Sequence, residues 1–222
     1  QQRQKTYEAF RNAGVKIARV VEEPTAAALA YGLHRKEGVD YIMVYDFGGG
    51  TLDVSLLHVS EGFVDVMGSD GDDRLGGADF DAAVAHFLLD HNNGKQIVDR
   101  VAFILNQLSR SLSLPAGLDL EQHLSHACPT LTETPLCTAS SFHTIGEQLK
   151  IGLSAYTDGE EGKVEATCFG LSDTAMEKLL DQSSSTTTTA PSLDSFCSSL
   201  EQVKLTITSQ QYQTCAQPLL DR

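Results

Sequence analysis

Apolar residues gather in two short runs in the first third of the chain, residues 41–45 and 52–59, with Gly48, Gly49 and Gly50 standing between them. Two β-rich runs joined by so short a glycine bridge predict an antiparallel hairpin. A third run, residues 63–67, follows the Glu61-Gly62 turn and extends the hairpin into a three-stranded meander. Ahead of it, residues 2–13 read as a helix ended by Gly14, with Tyr7 and Phe10 on one face and Arg3 and Arg11 among the polar positions. Residues 16–21 read as a short strand. Glu23 and Pro24 then open a helix through Thr25, Ala26, Ala27, Ala28, Leu29 and Ala30 to Gly32, because proline lacks only an N–H that a helix start leaves unpaired anyway.

After the meander, Asp70, Asp72 and Asp73 crowd a loop, and Gly76 and Gly77 begin a helix through Phe80, Val84 and Phe87. Asn92, Asn93 and Gly94 mark a turn. Residues 98–112 carry Val101, Ile104, Leu105 and Leu108 at the spacing of one helix face. Residues 115–140, rich in Thr, Ser and Pro, read as irregular. A strand is expected over 163–169. Residues 183–192 are Ser, Thr, Ala and Pro throughout, too polar to bury a core, and predict a mobile surface insertion.

Composition narrows the partners. A hydrophobic content of 41% is that of a globular protein, so a packed core is expected. The net charge of -14 argues against nucleic acid and against anionic membrane surfaces, both of which select basic patches. No apolar run approaches the ~20 residues needed to span a bilayer. No secretory pattern stands at the start; the sequence opens at Gln1 directly in a helical pattern, and we expect it to be part of a longer protein. The five cysteines, Cys128, Cys137, Cys168, Cys197 and Cys215, are odd in number, scattered and without a C-x-x-C pair. That usage predicts a reducing compartment or isolated core thiols rather than a disulfide framework. No cysteine stands beside an activating base, and none is assigned as a nucleophile. His123, His126 and Cys128 lack the second cysteine pair or acid that would complete a tetrahedral metal set, and solvent-facing histidines on a short helix are the better reading.

The glycine bridge carries the candidate chemistry. Three successive glycines permit positive φ and remove every Cβ that would hold a ligand away from the amide N–H groups. Asp46 stands at the entrance, Thr51 at the exit and Asp53 two residues on. Carboxylates would repel a bare phosphate, so this set points to a phosphate accompanied by a divalent cation. A tight hairpin whose glycines serve only the turn is the competing reading. The Gly76-Gly77 pair likewise opens a helix start to a phosphate or ribose, or forms only a turn and cap.

The stretch DFGGGTLDVSLL, residues 46–57, resembles the second phosphate loop of the Hsp70 chaperones, within the actin-like ATPase superfamily. QRQKTYEAFRNAG (2–14), VVEEPTAAALAYGL (20–33) and LGGADFD (75–81) agree with that family in order and spacing; EQLKIGLS (147–154) is a fainter echo that implies a helix, and residues 204–207 with Tyr212 resemble its returning strand and the helix start after it. The resemblance implies an α/β chain of the actin-like ATPase (ribonuclease H-like) fold, mainly its second lobe, with the meander at its centre and helices on its flanks. It divides the chain into the end of the first lobe with the interlobe helix (1–33), a second-lobe core with the phosphate loop (34–94), a divergent upper subdomain (95–203) and a return toward the core (204–222).

The same resemblance implies ATP or ADP with Mg2+, and K+ as a possible companion. Gly48, Gly49 and Gly50 would hold the terminal phosphates and Thr51 would donate its hydroxyl to the γ-phosphate. Asp46 would orient the water or the metal hydrate, Glu23 would support the magnesium shell, and Asp53 would help hold the metal. Asp46 and Asp53 are thus the implied metal residues. Gly76 and Gly77 would meet phosphate or ribose; Glu147, Lys150 and Ser154 would pack against the adenosine. Departures stand beside these matches: Glu22 replaces the usual asparagine, Ala78 an acidic residue, and Ile151 the arginine that covers the adenine by cation–π contact.

A first phosphate loop of the Asp-x-Gly-Thr type, the first-lobe lysine segment, the Gly-Gly-x-x-Arg-x-Pro adenosine motif and a peptide-binding domain do not occur in these 222 residues. The implied activity is therefore that of part of the nucleotide-binding domain of an ATP-dependent chaperone. In the intact protein its partners would be unfolded peptide clients, J-domain co-chaperones and nucleotide exchange factors. A non-catalytic Hsp70-like interaction protein or degenerate fragment is the alternative; a sugar kinase of the same superfamily is disfavoured by VEEPTAAALAYGL. Cytoplasmic location is expected. The endoplasmic reticulum is the alternative, because AYGLH with GGGTLDVSLL is similar to the microsomal branch.

Overall fold

The structure, a computed structural model, describes residues 2–91, 93–112, 120–156, 160–183 and 191–222. The chain is mixed α/β with small antiparallel sheets, and it divides into two units, Gln1–Gly77 and Ala78–Arg222.

In the first unit, helix α1 (Gln2–Asn12) ends where Gly14 takes φ +78°, a left-handed stop that glycine adopts at little cost. Residues 16–21 are not the expected strand. A strand needs a ladder partner for its backbone, and this segment has none among the described residues; Val20 and Val21 are both exposed. Helix α2 (Glu23–Ala30) starts at the acid-proline pair as expected. Strands β1 (Tyr41–Phe47), β2 (Leu52–Ser60) and β3 (Phe63–Asp72) pair antiparallel in the order β1-β2-β3. Positive φ at Glu61 and Gly62 gives the β2–β3 link the mirror-image turn that matches strand twist. Alternation then buries Ile42, Leu57 and Val59 against Ala28 of α2, with Leu33, Val39, Val44 and Val64 around them. The opposite face, with Tyr41, Met43 and Tyr45, is exposed.

The second unit begins with helix α3 (Gly77–Asp90), whose first residue closes the first unit. Helices α4 (Gly94–Ser111), α5 (Leu120–Ala127) and α6 (Ala139–Leu153) lead to strand β4 (Lys163–Gly170). Helices α7 (Asp173–Ser183) and α8 (Leu193–Ser198) precede strand β5 (Glu201–Thr208) and helix α9 (Ser209–Leu220). The expected strands 163–169 and 204–207 are thus the two halves of one antiparallel pair, in register from Lys163↔Thr208 to Gly170↔Glu201. Residues 115–140 are more regular than expected, since α5 and a 3-10 turn at Pro129–Leu131 fall inside them. Of the low-complexity run, residues 184–190 lie outside the described residues, as do Asn92 of the expected turn and residues 113–119.

Two buried clusters hold this unit. Val84, Leu88, Phe142, Ile145 and Leu149 pack with Leu205 and Ile207; Val101, Ile104, Leu108 and Leu124 pack with Leu179 and Phe196. Each cluster contains a disulfide, Cys137–Cys168 in the first and Cys128–Cys197 joined to the second, which overturns the expectation of reduced thiols. The pairing is invisible in the spacing because it is made by tertiary contacts. Cys137 lies beside β4, its N–H donating to the Phe169 carbonyl at 2.8 Å, and this sets it next to Cys168. Only Cys215 is free. With Cys128 in a disulfide, His123 and His126 lose the thiolate a metal set would need.

Candidate functional site

Register places the two aspartates. Asp46 pairs with Asp53 across the hairpin, one step before Phe47↔Leu52, so both side chains leave the sheet on the face that also carries Ile42, Val44, Ser55 and Leu57. Like charges directly opposite one another repel, and a cation held by both would relieve that repulsion. Asp53 is exposed, Asp46 half-buried, and the Thr51 hydroxyl donates to Asp53 Oδ2 at 3.1 Å.

The turn between the strands is closed by Gly48 N–H donating to the Thr51 carbonyl at 2.9 Å. Hence the Gly48 amide, one of the three assigned to phosphate, is already used in the turn. Gly49 and Gly50 are exposed, and their amides donate to no protein acceptor among the described residues. Positive φ is not what these glycines supply: among the described glycines it occurs at Gly14, Gly32, Gly38 and Gly62, none of them in this loop. What they supply is open space, for a Cβ at Gly49 or Gly50 would meet nothing within 4 Å.

Gly76 and Gly77 complete the loop's surroundings. Gly77 N–H donates to the Gly48 carbonyl at 3.0 Å, and Gly76 is buried against the turn. A Cβ at Gly76 would stand 2.4 Å from the Gly50 nitrogen and 2.5 Å from the Gly49 carbonyl carbon. Beside them Asp72 accepts from the Arg74 N–H at 2.8 Å, and a Cβ at Gly71 would meet the Leu52 carbonyl at 2.2 Å, so β3 reaches the loop only as glycine. Sequence reasoning assigned Gly76 a ligand role and missed this packing role, which only the tertiary approach reveals. Glu23 is exposed at the first position of α2.

Of the residues expected to meet adenosine, Glu147 and Lys150 lie on α6 of the second unit and Ser154 caps its end. Glu147 is exposed, and the Ser154 hydroxyl donates to the Ile151 carbonyl at 2.7 Å as the helix ends. Lys150 Nζ lies 2.6 Å from Asp81 Oδ1 of α3, with both side chains largely shielded at 23% and 14% exposure. This ion pair is a use of Lys150 that the E-x-x-K spacing did not disclose. Lys150→Ala is expected to cost about 1–2 kcal/mol in urea unfolding, because it strands a shielded carboxylate. An unchanged midpoint would show the pair to be energetically idle. Ile151, at the arginine position, is 59% exposed.

The described residues contain no group of three or more His, Cys, Asp or Glu side chains clustered as a metal site, so the opposed pair Asp46 and Asp53 would need oxygens from a bound phosphate to complete a shell. The model for the family described as Hsp70 protein matches residues 1–133, which is 133 of the 222 residues, and so spans the glycine loop and the Gly76-Gly77 pair but stops short of the α6 residues.

Proposed function

Because the chain belongs to the Hsp70 family, we propose that it forms part of the nucleotide-binding domain of an ATP-dependent chaperone, with residues 46–53 as the phosphate loop of an actin-like ATPase (ribonuclease H-like) second lobe. The observation that carries this reading is the bare, exposed turn of Gly49 and Gly50 directly beside the opposed carboxylates of Asp46 and Asp53. Gly49 and Gly50 offer unspent amide donors to phosphate oxygens. Asp46 and Asp53 would hold Mg2+, which would neutralise phosphate charge when bound. Thr51 would meet the same phosphate by turning its hydroxyl from Asp53, and Glu23 is the implied support of the metal shell. In the intact protein, clients, J-domain co-chaperones and nucleotide exchange factors are the expected partners. For the compartment the reading favours the endoplasmic reticulum, since structural disulfides persist in oxidising lumens and are rare in the cytosol.

Nuclear magnetic resonance titration of the 222-residue chain with Mg·ATP tests it. Shifts centred on the Gly49 and Gly50 amides are expected, with a dissociation constant on the order of 1 mM, or about -4 kcal/mol, since the opposing phosphate loop is not among these residues. No shift there at several-fold higher nucleotide would sink the phosphate site and leave the non-catalytic interaction protein, a reading that Ile151 and Ala78 at two nucleotide positions favour. Micromolar affinity in calorimetry would instead overturn the assignment of only half a clamp.

A further inference from the structure

Strand β4 has one edge on β5 and a second edge that, among the described residues, is met only near its two ends. At one of them, Phe169 donates its N–H to the Pro135 carbonyl and accepts from the Cys137 N–H, both at 2.8 Å, so the segment around Leu136 forms a single parallel bridge with β4. In an antiparallel ladder, a residue whose N–H and C=O both face outward is followed by another two positions away. The β4–β5 register runs without a shift, so Lys163, Glu165 and Thr167 point their backbone groups to the same side as Phe169. The Lys163 carbonyl accepts from the Tyr156 hydroxyl at 3.2 Å, which agrees with that parity. The N–H and C=O groups of Glu165 and Thr167 have no partner among the described residues.

They line a groove. Residues Glu133, Thr134 and Pro135 diverge from β4 and open a cavity of about 430 Å³ whose other wall is Gln148, Leu149 and Gly152 of α6. An extended segment laid in it would meet two different faces, because its side chains alternate. Those turned inward would stand over the half-buried Gly152 and Val164; those turned outward would stand beside Glu133 and Glu165, both exposed, the latter paired with Lys163 Nζ at 3.1 Å, on a chain of net charge -14.

We propose that this edge is a strand-addition site for an extended segment of a partner protein in which basic and apolar residues alternate. The main chain of Glu165 and Thr167 supplies the hydrogen bonds, Val164 with the Gly152 backbone the apolar contact, and Glu133 and Glu165 the charge selectivity. The site belongs to the second unit alone and is independent of the nucleotide reading.

The probe is an acetylated hexapeptide of alternating lysine and valine, added to the 222-residue chain and followed by amide hydrogen exchange and fluorescence anisotropy. Slowed exchange at the Glu165 and Thr167 amides is expected. Glu165→Lys should weaken binding about tenfold, since a charge reversal at an interface opposes the partner, and a peptide N-methylated at alternate residues should not bind. Because the peptide arm needs no change to the protein, a variant that fails to fold leaves the test intact. Equal binding of the N-methylated peptide, protection elsewhere, or no binding at millimolar peptide would overturn the proposal. So would concentration-dependent dimers that protect the same amides without peptide, which would assign the edge to a second copy of this chain.

Discussion

Gly76→Ala is expected to lower the unfolding free energy of the first unit by about 3 kcal/mol, at the upper end of the usual cost of an overpacked position. The added methyl would stand 2.4 to 2.5 Å from backbone atoms of Gly49 and Gly50. Backbone cannot swing aside as the end of a long side chain does, so relief comes only by pushing the glycine turn outward and breaking the 3.0 Å bond from Gly77 N–H to the Gly48 carbonyl. Gly49→Ala is the control. Its methyl meets nothing within 4 Å and its φ is not in the left-handed region, so stability should hold within about 0.5 kcal/mol. Yet that methyl covers the face from which a phosphate would approach, and Mg·ATP shifts at the loop should fade. Chemical denaturation of the two variants separates support of the turn from ligand contact. Equal stability of the Gly76 and Gly49 variants would contradict the buried seat of Gly76.

The hairpin was legible because its signals are local, two β-rich runs and a glycine bridge, whereas the register that pairs Asp46 with Asp53 came from the structure. The Pro24 helix start and the Gly14 stop are local in the same sense. What escaped the sequence depends on partners distant along the chain. Residues 16–21 have strand composition, but composition supplies no neighbour to complete a ladder. Gly76 looked like a ligand residue because glycine at a helix start has two physical uses, and only the approach of residues 49–50 distinguishes them. Lys150 was expected against the adenosine, and nothing local showed that Asp81, 69 positions earlier, lies beside it. The cysteines failed for the same reason, since spacing says nothing of which strands lie side by side.

Those cysteines carry the other large expected effect. Denatured without reductant, the protein from an oxidising compartment should yield one titratable thiol, Cys215, and after reduction five. In the folded chain even that thiol should react slowly, because burial pushes its pKa up and disfavours the thiolate. Replacing Cys137 and Cys168 by serine releases a closed loop with a separation of 31 residues and should cost about 3–4 kcal/mol; replacing Cys128 and Cys197 releases one of 69 and should cost about 4 kcal/mol. The inner loop lies wholly inside the outer one, so the two costs should not simply add. With Cys137–Cys168 closed, the outer path shortens to 38 residues, the 69 less the 31. Logarithmic loop entropy then makes the outer bond worth roughly half a kcal/mol less in its presence than in its absence. Calorimetric melts of both double-serine variants and of the quadruple variant measure that coupling. Five free thiols before reduction would remove the disulfides altogether, and with them the reason to place this chain in an oxidising lumen.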